Sequence, residues 1–149
     1  MNDDIYNQQL KALAKSNHGT GEVSSNENSV CLDNPLCGDR VMLTADVKEG
    51  RIVSVTHNVK GCLLCQASAS AIGEMAPGMK KKAMLQVCDH MAAMLNADVA
   101  YTPLSGWEVL SAFEPVKAHR NRHNCVLLPF QAVAMVLKSD TSNDFDRDE

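Results

Sequence analysis

Between Val41 and Val59 the chain alternates. Val41, Leu43, Ala45 and Val47 fall on one strand face, opposed by Met42, Thr44 and Asp46, which is the period-two pattern of a strand buried on one side only. Lys48-Glu49-Gly50 then reads as a hairpin turn, and Ile52, Val53, Val55 and Val59 continue as one or two further strands up to Lys60-Gly61. The expectation is an antiparallel meander with one buried face.

The pattern changes after Gly61. A short helix is expected from Cys65 to Glu74, stopping at Pro77-Gly78, and a second from Met79 to Leu95. In the second, Met84, Val87, Met91 and Leu95 step by three or four and form a core stripe, in which methionine fills irregular gaps and needs no special role. Pro103, Gly106 and Pro115 interrupt the next segment, which has room for one short helix around Trp107 to Ala112. A last helix is expected over Val126 to Leu137, with Pro129 in its first turn, where an amide N–H is not needed.

Upstream of the sheet, Ile5, Tyr6, Leu10, Leu13 and Ala14 have helical spacing over Ile5 to Lys15. Residues 19–33 are largely polar and read as a flexible surface loop. Residues 1–139 thus form one domain, and 140–149 an acidic, disordered tail.

The net charge of −4 gives no general attraction to nucleic acid or to an anionic membrane surface. No run of about 18 uncharged apolar residues is present, so no helical membrane span is expected. The start Met-Asn-Asp-Asp-Ile-Tyr has neither a basic region nor an apolar core. A reducing, cytoplasmic setting is therefore expected for the six cysteines, where metal ligation or nucleophilic chemistry is favoured over bridging.

Three of them stand at junctions. Cys37 precedes the first strand of the alternating region, Cys62 lies between the last strand and a helix, and Cys125 begins the final helix. A helix start presents free N–H groups and a positive dipole end, which favour the thiolate that binds metal or attacks sulfur. Asp39 adds an oxygen donor two residues after Cys37, and Gly38 between them permits a tight backbone. Three thiolates and a carboxylate suit tetrahedral zinc, or iron of a binuclear cluster that one non-cysteine ligand leaves easier to lose.

Blander readings stand beside these. A cysteine taken alone is more often a small buried hydrophobe, the reading taken for Cys88, and Cys31 falls in the loop with no evident role. Cys62-Leu-Leu-Cys65 is half of a zinc-ribbon pattern without its second half. Asp39 taken alone is more often a turn residue. His57, His90, His119 and His123 are scattered, and of these His123 is held open because it lies two residues before Cys125. Ser68 and Ser70 read as small residues for close helix packing, since no nucleophile elbow is present.

At these residues the chain resembles the U-type iron–sulfur cluster assembly scaffolds, the family of IscU, SufU and the N-terminal domain of NifU. Three blocks in order carry the likeness: Asn34-Pro-Leu-Cys37-Gly38-Asp39, Lys60-Gly61-Cys62-Leu-Leu-Cys65-Gln-Ala-Ser-Ala-Ser70, and Arg122-His-Asn-Cys125-Val-Leu-Leu-Pro129. The resemblance implies an α+β fold with a small three-stranded antiparallel sheet and helices packed on one side. It implies a [2Fe–2S] cluster or zinc on Cys37, Asp39, Cys62 and Cys125, with Cys125 the sulfur acceptor. The implied partners are a cysteine desulfurase and recipient or carrier iron–sulfur proteins. A scaffold of this kind is not an enzyme turning over a metabolite; the alternative is a zinc-dependent sulfurtransferase that relays persulfide without holding a cluster.

The segment ahead of Cys125, with Gly106 and Pro115, resembles the insertion of the SufU-like branch more than the compact IscU form, with the subtype left open. Asn124 stands where IscU has a histidine before the third cysteine, while Arg122 keeps a basic residue three before it. Cys65 occupies a place usually taken by a small residue, as a spare ligand, a sulfur relay or a packed thiol.

Overall fold

The computed structural model describes residues 7–23, 28–35, 38–96 and 106–139. Three strands, β1 (Ser29–Asn34), β2 (Asp39–Lys48) and β3 (Arg51–Lys60), pair antiparallel in the order β1-β2-β3. Two residues, Glu49 (φ 54°) and Gly50 (φ 77°), link β2 to β3. Positive φ at both positions matches the twist of the flanking strands, and Gly50 takes it without a Cβ penalty.

The alternation places Val41, Leu43 and Ala45 of β2 and Ile52, Val55 and His57 of β3 inside. A register irregularity at Asp46/Val47 shifts the phase near the hairpin. Helices α2 (Leu63–Met75) and α4 (His123–Ser139) cover this face, α2 against β3 and α4 against β1 and β2. Helix α1 (Gln8–Ser16) packs on α2, and α3 (Lys81–Asn96) packs on α4. Met84, Val87, Met91 and Leu95 all lie in the core, as the stripe requires. Small residues let α2 approach closely: Ala67, Ser68, Ala69, Ser70 and Ala71 are all buried. Ser68 Oγ donates to the Val126 carbonyl at 2.8 Å, and Ser70 Oγ accepts the His18 N–H at 3.0 Å. No helix among the described residues is long and apolar enough to cross a membrane.

Three expectations about elements change. The stretch 19–33 is not simply a loop: residues 29–34 form β1, and Thr20 bridges His57 alongside β3. The strand is half-exposed, with Val30 and Leu32 packed against the core and Cys31 and Asp33 outside; two inward apolar residues make a short signal, and the pairing with β2 fixes the strand. Cys31 is accordingly an exposed residue of β1 and not of a loop. The last helix begins at His123, so Pro129 sits in its second turn and supplies no N–H for the Cys125 carbonyl. Between α3 and α4 the chain forms 3-10 turns over Glu108–Ala118 and Arg120–Arg122. The acidic tail lies outside the described residues.

His57 anchors the segment after α1. Its Nε2–H donates to the His18 carbonyl at 2.7 Å, its backbone N–H to the Gly19 carbonyl, and its carbonyl accepts the Gly21 N–H. Gly73 of α2 makes this possible, because a Cβ there would lie 2.2 Å from the His18 oxygen. Burial lowers the His57 pKa below its ordinary value by disfavouring the charged ring.

Candidate metal centre

The site lies at the end of the sheet opposite the β2–β3 hairpin, where β1 ends, β2 begins and β3 ends. The β1–β2 connection closes when the Gly38 N–H donates to the Asn34 carbonyl at 2.8 Å, and Gly38 takes φ 78°. This turn delivers Asp39 as the first residue of β2, with 4% of its surface exposed. Cys37 falls within that connection but outside the described residues.

Cys62 is the N-cap of α2, with extended backbone (φ −73°, ψ 172°), and is half-buried. Its N–H donates to Asp39 Oδ1 at 3.1 Å, and its Sγ lies 3.7 Å from Asp39 Oδ2. Close approach depends on Gly61: a Cβ there would meet the Asp39 carboxyl at 2.7 Å. Cys125 arrives from the other side, in the first turn of α4, and is buried with 1% exposure.

Ligand atoms of Asp39, Cys62 and Cys125 all lie within 4.8 Å of one another. Two sulfurs on one tetrahedral zinc stand about 3.8 Å apart, from the usual Zn–S length. Donors this close are within reach of one shared ion. The starts of α2 and α4 both meet here, Cys62 as the N-cap of one and Cys125 in the first turn of the other.

The other candidates separate cleanly. Cys65 is fully buried in the hydrophobic core and belongs to no donor group found among the described residues. Cys88 is also buried; its Sγ reaches the Phe130 carbonyl at 3.4 Å, and burial pushes its pKa up to about 12, as expected for a structural thiol. His123 turns from the site, its Nε2–H shared between the Val116 and Lys117 carbonyls at 3.1 and 3.0 Å. It therefore clamps the end of the Glu108–Ala118 turns onto the start of α4. Sequence reasoning missed Gly61 as the residue that makes room for Asp39; its place directly before Cys62 was the available signal.

The architecture is that of a small α+β domain with Asp39, Cys62 and Cys125 gathered at one end of its sheet. A family description, the NifU-like N-terminal domain, matches residues 5–120, and the chain belongs to that family. Among similar proteins is the iron–sulfur cluster assembly scaffold protein IscU of Streptococcus pyogenes serotype M1, 28% identical over 127 residues, spanning 84% of this chain and 77% of the relative. The crystal structure of a NifU-like protein (N-terminal) from Brucella abortus superposes with a TM-score of 0.85 at 28% identity, covering 92% of this chain and 94% of that one. FiSufU from Fervidobacterium islandicum AW-1 shares the fold, with a TM-score of 0.78 at 24% identity and coverage of 92% and 99%.

Proposed function

We propose that this chain is an iron–sulfur cluster assembly scaffold that receives iron and sulfur on Cys37, Asp39, Cys62 and Cys125 and passes the [2Fe–2S] cluster on. The observation that carries the reading is the convergence of Asp39, Cys62 and Cys125 donors within 4.8 Å in a NifU-like fold. The carboxylate is a harder ligand than a thiolate, which suits a site that must release its cargo. Sulfur would come from a cysteine desulfurase carrying a persulfide. The Cys125 thiolate attacks the outer sulfur, a new S–S bond forms as the desulfurase's own breaks, and the desulfurase cysteine leaves as thiolate, so no external oxidant is required.

One feature favours a second reading, zinc-dependent sulfur transfer without a bound cluster. A binuclear cluster spreads its protein ligands over two metals, whereas the three described donors gather around one point. Cys125 is also buried, so it must leave the site to meet an incoming persulfide. Anaerobic reconstitution with iron, a cysteine desulfurase, cysteine and a thiol reductant that takes the persulfide sulfur to sulfide separates the two. Visible cluster absorbance lost in Cys37→Ser, Cys62→Ser and Cys125→Ser supports the scaffold; stimulation of the desulfurase by the zinc-loaded protein with no cluster formed supports transfer. Unchanged cluster yield in all three variants refutes the ligand assignment.

A further inference from the structure

The peptide unit joining Gly61 to Cys62 is held at both ends. Its N–H, that of Cys62, donates to Asp39 Oδ1 at 3.1 Å. Its carbonyl, that of Gly61, accepts the side-chain amide of Gln66, Nε2, at 3.0 Å. Gln66 is the fourth residue of α2, and helical side chains lean toward the N-terminus, which carries its amide back over the first turn. The Gln66 backbone N–H donates to the Cys62 carbonyl at 3.1 Å, so this one residue bonds to two successive carbonyls beside the site.

This peptide needs an external hold. It precedes the helix proper, so no intrahelical bond fixes the Gly61 carbonyl, and Gly61 has no Cβ to restrict its own rotation. Rotating the plane would swing the Cys62 N–H from Asp39 Oδ1. The carboxylate would then lose the bond that turns its other oxygen, Oδ2, toward Cys62 Sγ at 3.7 Å. An amide whose carbonyl accepts a hydrogen bond is also polarised into a stronger N–H donor.

We infer that Gln66 is a positioning residue for the metal centre: through the Gly61–Cys62 peptide it sets the orientation of the Asp39 carboxylate. The inference rests on reading Asp39 and Cys62 as ligands. Partners one bond removed from a ligand are worth roughly ten- to a hundredfold in metal affinity where they orient it.

The test titrates the full, reduced chain with Co(II), following the thiolate-to-cobalt charge-transfer absorbance, for wild type, Gln66→Met, Asp39→Asn and the double variant. Methionine keeps length and helix preference but removes the donor. Expected are a roughly tenfold weaker Co(II) affinity and an altered absorbance spectrum in Gln66→Met, with the unfolding midpoint of the metal-free protein unchanged. In the Asp39→Asn background the same substitution should change affinity less than about twofold, since the group it orients is gone. The cycle still reads the coupling if Gln66→Met lowers stability. Wild-type affinity in Gln66→Met, or an equal loss in both backgrounds, overturns the inference while leaving the ligands standing. Co(II) binding indifferent to Asp39→Asn and Cys62→Ser overturns the ligand reading itself, and the inference with it.

Discussion

The two ends of the sheet are built on opposite rules. At the hairpin end, backbone groups satisfy one another. The Ile52 N–H donates to the Met79 carbonyl, the Gly78 N–H to the Ile52 carbonyl and the Lys81 N–H to the Gly50 carbonyl, all at 2.7 to 2.8 Å. At the opposite end the Cys62 N–H is given to a carboxylate, and α2 starts on a residue whose side chain caps nothing. One end closes its backbone on itself, while the other, beside the Gly38 to Asn34 turn bond, gives the Cys62 N–H to an acidic side chain. An unpaired buried donor is costly, so the second arrangement persists where Asp39 takes up that role.

The comparison fails if substitutions at the two ends have similar effects. The largest expected effect is at the site: Asp39→Asn or Cys125→Ser should weaken zinc or Co(II) binding by about a hundredfold or more, above the range for residues that only orient ligands. Thermal unfolding of the metal-free variants is the control, and a collapse of the midpoint would mean that these residues serve the fold first.

A glycine pair sharpens the contrast. Gly61→Ala places a Cβ 2.7 Å from the Asp39 carboxyl and should weaken metal binding about tenfold. Gly78→Ala has open space but a φ of 93°, so it should cost about 1–2 kcal/mol of stability with metal affinity unchanged. Calorimetry of both variants, with and without metal, decides.

The smallest effect is a pH dependence from His57, which belongs to neither end. Its folded pKa is lowered by burial, while the unfolded chain titrates near 6.5. The unfolded state therefore gains a proton before the folded state does, and stability present above pH 6.5 is lost as the pH falls through that value. No charged group shifts this ring: His18 offers its carbonyl, its imidazole pairs with Glu74 at 3.6 Å, and the β2 partner of His57 is Leu43. His57→Gln should flatten the slope of denaturant midpoint against pH between 7 and 5. An unaltered slope would assign it to other groups.

Much of this molecule was legible where one side chain carries the signal. The alternation from Val41 gave two strands with their buried face, the Met84 stripe gave α3, and the α+β class followed. The junction positions of Cys62 and Cys125 were readable for the same reason, as was Asp39 beside Gly38. What stayed hidden depends on partners. Strand β1 has only Val30 and Leu32 as its inward alternation, too short to stand out in the sequence, and is fixed by its register with β2. Helix α4 starts three residues earlier than expected because Pro129 is tolerated in the second turn. Gly61 and Gln66 act through a backbone N–H and carbonyl, and those atoms are the same in every residue.

Pro129 also sets the mechanics of α4. A helix transmits force along its ladder of backbone bonds, and the rung that would run from residue 129 to the Cys125 carbonyl has no donor. The turn that bears Cys125 is thus coupled to the rest of α4 by one rung fewer than its neighbours, and the Ser68 hydroxyl, donating to the Val126 carbonyl, ties it to α2. The sulfur is placed by packing as well: Val126 and Leu128 beside it are buried together with Phe130, Val133 and Leu137, so its position follows the core and not the helix ladder alone.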